Sequence, residues 1–140
     1  VILFQATIPG RVAIKKNSKQ IIPGRGGRRP TLISSPKYLA WERMAVTWLL
    51  KALLDQTSLE KERQITCPVE VHMVFYFKSH LHEPDIDNCL GGPLDVLQKS
   101  GILQNDRQVQ RVTAEKRFGH GEGIQIQIFK FNQSEGEKCG

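Results

Sequence analysis

Asp85-Ile86-Asp87-Asn88 opens a stretch that runs through Leu90, Leu94 and Leu97 to Gly101-Ile102-Leu103-Gln104-Asn105-Asp106. Residues two apart in an extended chain project from one face, so Asp85 and Asp87 are expected to present two carboxylates to one point. The leucines recur at helical spacing and Ser100-Gly101 suits a helix C-terminus, which predicts a short helix that doubles the chain back. Asp106 then returns to the same point as a third carboxylate. Carboxylates converging without a cation repel, so the pattern calls for a hard metal, Mg2+ or alternatively Mn2+, held by Asp85, Asp87 and Asp106. Gly91-Gly92-Pro93 predicts an irregular first turn with Pro93 near the helix start. The D-x-D pair alone is weak, since Asp87 or Asn88 can equally cap the helix.

Outward from this stretch, Val69, Val71, Met73, Phe75 and Phe77 alternate with Glu70, His72 and Tyr76, which marks a half-buried strand leading through His80 and His82 into Asp85. The two histidines read as exposed loop residues, because a hard-cation site uses oxygen rather than imidazole. On the far side, Val109 to Arg117 reads as a charged strand, Gly119 to Gly123 as a hairpin turn, and Ile124, Ile126 and Ile128 as alternating positions of a last strand.

Towards the N-terminus, Val1 to Ile8 reads as an edge strand closed by Pro9-Gly10. Ile21-Ile22 and Leu32-Ile33 flank a glycine-rich turn, predicting a hairpin with a mobile basic tip. Lys15, Lys16, Lys19, Arg25, Arg28 and Arg29 make this region the candidate phosphate-binding surface. Ser35-Pro36 is a helix start, and Tyr38, Trp41, Ala45, Trp48, Leu49, Ala52 and Leu53 form the apolar stripe of a long helix, with both tryptophans expected in the core. The expected division is one domain over 1–131 and a frayed polar tail over 132–140.

The 140 residues suit a single core, and a net charge of +6 from 20 Lys and Arg against 14 Asp and Glu favours a polyanionic partner. The 3 cysteines are widely spaced, which argues against a disulfide framework or a zinc site and for a reducing cytoplasm. No apolar run approaches the roughly 20 residues of a membrane span. Phosphodiester cleavage puts negative charge on a pentacoordinate phosphorus, which a carboxylate-held Mg2+ offsets while activating water. Basic loops then overcome the repulsion between aspartates and DNA.

Asp85-Ile86-Asp87-Asn88, Pro93-Leu94-Asp95-Val96-Leu97, Gly101-Ile102-Leu103 and Asn105-Asp106-Arg107-Gln108-Val109 together resemble the signature of the RusA family of Holliday junction resolvases. Pro9-Gly10-Arg11, Lys15-Lys16-Asn17-Ser18 and Ser34-Ser35-Pro36-Lys37-Tyr38 with Trp41-Glu42 are similar to the family's N-terminal half. The resemblance implies a small α/β homodimer, with a mixed, mostly antiparallel sheet and two main helices packed on it. It also implies Mg2+-dependent paired cuts at a four-way junction, with Asp85, Asp87 and Asp106 as catalytic, metal-binding residues and Asp95 as a further acidic position.

Two departures stand out. The family's usual Lys four residues after the second Asp is here Gly91, and Asn105-Asp106 replaces a pair of aspartates. Lys78, Lys99 and Arg107 are the candidate substitute cations. The rival reading is a non-catalytic or weakly catalytic branched-DNA-binding protein on the same fold.

Overall fold

The computed structural model describes residues 2–15, 19–56 and 64–132. In chain order these form β1 (Ile2–Pro9), β2 (Lys19–Ile22), β3 (Thr31–Ser34), α1 (Pro36–Gln56), β4 (Val69–Phe77), α2 (Ile86–Lys99), a 3-10 turn (Asp106–Gln108), β5 (Val109–Phe118) and β6 (Gly123–Lys130). Four strands make one mixed sheet in the order β1-β6-β4-β5, and β2 pairs with β3 in a separate antiparallel hairpin.

β4 owes its central place to its alternation. Val69, Val71, Met73, Phe75 and Phe77 are each at most 1% exposed on the helix-covered face, and the intervening residues are half-buried on the other. Phe4, Ala6 and Ile8 of β1 and Ile124, Ile126 and Ile128 of β6 complete the same apolar layer. α1 and α2 pack over it. Ser35 caps α1, its Oγ accepting from the Tyr38 amide at 3.2 Å, and Tyr38, Trp41, Ala45, Leu49 and Leu53 turn inward. Trp48 does not follow. It is 40% exposed, with the Lys51 ammonium 5.2 Å from the ring, because the buried seam steps through 41, 45 and 49 and leaves 48 a quarter-turn off it.

Two further expectations are corrected. Gly119 to Gly123 does not close a hairpin: β5 pairs only with β4, in parallel, whereas β6 crosses over to lie antiparallel between β4 and β1. The apolar Ile124, Ile126 and Ile128 belong in the sheet centre, and β5, with Arg111, Glu115 and Arg117 exposed, is suited to an edge. Likewise α2 begins at Ile86 and carries Gly91, Gly92 and Pro93 inside it. Packing overrides propensity here, because a Cβ on Gly92 would come within 3.1 Å of the Trp41 ring and 3.2 Å of the Ala13 carbonyl oxygen. The bare backbone at 92 is what lets α1 and the loop after β1 close on α2.

The hairpin expected around the basic glycine-rich segment is present, with Gly26 and Gly27 at positive φ in the turn and Arg25, Arg28 and Arg29 exposed. Lys16 and the tail from 133 onward lie outside the described residues. Among the described residues no helix is long and apolar enough to cross a membrane.

Candidate active site

Asp85 is the N-cap of α2 with extended backbone (φ −64°, ψ 148°), and its side chain makes no capping hydrogen bond. Asp87 sits in the first helical turn, so the pair does not belong to one extended run. Both side chains are exposed at the helix end whose dipole favours negative charge. The buried Cys89 thiol beneath them is pushed up to about 11, first by burial, with Asp87 and Asp85 raising it against Lys116 and Arg11. Two carboxylates and two cations therefore act on one buried sulfur.

The segment leading into Asp85 is tied from both sides. Glu83 accepts from Lys116 Nζ on β5 at 3.1 Å, and its other carboxylate oxygen lies 3.0 Å from His80 Nδ1. These hydrogen bonds, His80 first and Lys116 second, hold the Glu83 carboxyl below its usual range. The Arg11 guanidinium donates to the His82 carbonyl and lies 5.5 Å from the Phe77 ring centre, while His82 takes a left-handed φ of 56°. His80 stacks on Phe118 at 3.7 Å and, as expected, is an exposed loop residue. Beside Asp85, a groove of about 490 Å³ has the cations Arg11 and Lys37 over an apolar floor of Val12, Trp41 and Pro84.

Asp106 lies at the opposite end of the unit. β4 and β5 are parallel, Val69 pairing with Val109 and Phe77 with Phe118, so α2 is a crossover that returns the chain to the start of β4. There the Ile65 amide donates to the Ile102 carbonyl at 2.8 Å, and Gln108 Nε2 donates to the carbonyls of Ile65 and Cys67 at 2.7 and 3.0 Å. A helix of 14 residues is about 21 Å long, which separates Asp106 from Asp85 and Asp87 within one chain. Among the described residues no three His, Cys, Asp or Glu side chains are grouped closely enough to hold one metal ion. The helix reverses the chain as expected, but Asp106 does not return to Asp85 and Asp87 within one chain, because a parallel β5 starts at the other end of the helix from Asp85.

A groove of about 390 Å³ runs along α2 towards Asp106, lined by Lys15, Gly91, Leu94, Asp95 and Gln98. Lys15 Nζ lies 3.1 Å from Asp95 Oδ1, Lys99 Nζ 3.3 Å from Asp95 Oδ2, and Lys99 reaches Glu42 at 2.8 Å. Burial works to raise the Asp95 pKa, but hydrogen bonds and charge from Lys15 and Lys99 outweigh it and hold the carboxyl below its ordinary value. Of the three candidate substitute cations, Lys99 is shared by two carboxylates, Lys78 is 77% exposed and 3.8 Å from Glu122, and Arg107 is exposed beside Asp106.

Lys15 thus lies on α2 rather than on the outer face of the basic arm. Lys19 begins β2, and Arg25, Arg28 and Arg29 ring the hairpin turn. Sequence reasoning missed Glu83, Lys116 and Arg11, whose partners lie 33 and 71 residues away and leave no local pattern. Charge alternation along β5 was the sole available hint for Lys116.

The family model described as Endodeoxyribonuclease RusA matches residues 10–129, and the chain belongs to this family of DNA-cutting enzymes. It is also 26% identical over 122 residues to the Crossover junction endodeoxyribonuclease RusA of Aquifex aeolicus (strain VF5), an alignment covering 86% of this chain and 87% of that one.

Proposed function

We propose that this chain is a Mg2+-dependent, structure-selective endodeoxyribonuclease that resolves Holliday junctions by paired symmetric nicks, acting as a homodimer in the cytoplasm. The observation that carries this reading is the pair of exposed carboxylates at the start of α2, Asp85 without a capping bond, inside a family match spanning nearly the whole chain. Aspartate oxygens fit Mg2+, and Mn2+ as a replacement. When bound, such a metal offsets charge at phosphorus and lowers the pKa of a water.

Asp85, Asp87 and Asp106 are the proposed ligands, and the crossover puts Asp106 out of reach of the other two in one chain. A second copy resolves this. In a two-fold pair, Asp106 of each protomer completes the set begun by Asp85 and Asp87 of its partner, giving two equivalent sites for two equivalent cuts. Arg25, Arg28 and Arg29, with Lys15, Lys16 and Lys19, supply the phosphate contacts that bring DNA to an acidic centre.

The test is a synthetic four-way junction, with Mg2+ or chelator, beside linear duplex. Paired nicks requiring both metal and branch are expected. Junction binding without nicks would favour the rival reading, a branched-DNA-binding protein, for which the glycine at 91 is the specific observation. The shared site has its own test: Asp87→Asn and Asp106→Asn should each be inactive alone, whereas mixed dimers should regain one intact site. No recovery on mixing would place the whole set in one chain.

A further inference from the structure

We infer that Lys15, held against α2 by Asp95, is the cation that meets the DNA phosphate in the Asp106 groove. This rests on the nuclease reading above and adds to it the residue that supplies positive charge to the cut strand.

Asp87, Gly91 and Asp95 follow one another at four-residue spacing and so share one face of α2. That face leads down the groove to Asp106. A Cβ at Gly91 would meet nothing within 4 Å, so the middle of the face is open space. Lys15 enters this space from the loop after β1. Its side chain is 36% exposed, and a relay fixes its amine: Lys15 on Asp95, Asp95 on Lys99, Lys99 on Glu42, at 3.1, 3.3 and 2.8 Å. An ammonium has three donors and Asp95 Oδ1 takes one, which leaves donors for a phosphate oxygen. Lys99 is bound between two carboxylates, and neither it nor Lys78 lines this groove. Asp95 is on this reading a positioning residue.

The bland alternative is that the bridge merely docks the loop onto α2. An amine moved to position 91 separates the two, because it restores charge to the groove but not the docking contact. The experiment compares wild type, Lys15→Ala, Lys15→Arg and Lys15→Ala/Gly91→Lys in single-turnover cleavage of a four-way junction at saturating protein. Junction affinity in chelator and thermal midpoint are measured on the same samples.

Lys15→Ala should slow nicking about 100-fold while its affinity falls less than about tenfold. Lys15→Arg should keep most of the rate. The double variant should recover at least about tenfold over Lys15→Ala, and its thermal midpoint should exceed that of Lys15→Ala only by the helix propensity gained at 91. Equal nicking by wild type and Lys15→Ala would remove Lys15 from the chemistry and leave the resolvase reading standing. A double variant as slow as Lys15→Ala would reduce the bridge to docking. Wild type that nicks no junction would remove both readings.

Discussion

Lys116 Nζ on β5 lies 3.1 Å from Glu83 Oε2, so the edge strand holds the segment that delivers Asp85. Lys116→Met should raise hydrogen exchange at residues 80–86 and leave β6 unchanged, with a slower cut because Asp85 is less well placed. Unchanged exchange would show that the Arg11 contact to His82 suffices alone.

Neighbouring glycines of α2 should respond with opposite sign. Gly91→Ala adds a Cβ in open space and should stabilise by up to about 1 kcal/mol from helix propensity. Gly92→Val drives atoms into Trp41 and the Ala13 carbonyl and should cost about 2–3 kcal/mol. Urea unfolding of the two variants checks the contrast.

Asp95 has a folded pKa below its ordinary value near 3.8, so it contributes stability above that value, lost as pH falls through the folded pKa. Below it the carboxyl is neutral and the bridges to Lys15 and Lys99 weaken. Asp95→Asn should therefore lower the urea midpoint at pH 7 and differ less from wild type at a pH well below 3.8. An equal deficit at both pH values would assign the loss to packing.

Cys89 is fully buried and its thiol is pushed up to about 11, whereas Cys67 is half-buried. In a variant with Cys67 and Cys139 replaced by serine, a thiol reagent at pH 8 should label the protein at its global unfolding rate. Fast labelling would mean that the start of α2 opens locally.

Arg28 and Arg29 flank an exposed turn. Replacing both by alanine should lower the slope of log affinity against log salt by about 2, if each neutralises one phosphate. An unaltered slope would take the hairpin off the DNA.

Short-range physics was legible in the sequence. Alternation in β4, the 41-45-49-53 seam of α1, its Ser35 cap and the β2–β3 hairpin all follow from rules acting within a few residues. What escaped depended on partners far along the chain. The helical course of Gly91 to Pro93, where the sequence predicts an irregular turn, depends on Trp41, fifty residues earlier, and the crossing of β6 over β4 depends on which strand is apolar enough for the centre. The largest miss was the place of Asp106. Spacing says that a chain can return, but strand direction decides to which end, and β5 fits a parallel or an antiparallel neighbour equally well by composition. Lys15 was read as one charge in a basic run because nothing local distinguishes it from Lys16.

The parallel crossover carries a consequence for how much protein a cell can hold safely. A nuclease whose ligands are divided between two chains cuts as the square of monomer concentration while pairs are scarce, so halving the supply quarters the cutting. On the proposed shared site, dilution would then act as a safeguard: lone copies meeting intact DNA would be harmless, and only a branch that gathers two of them would be cut.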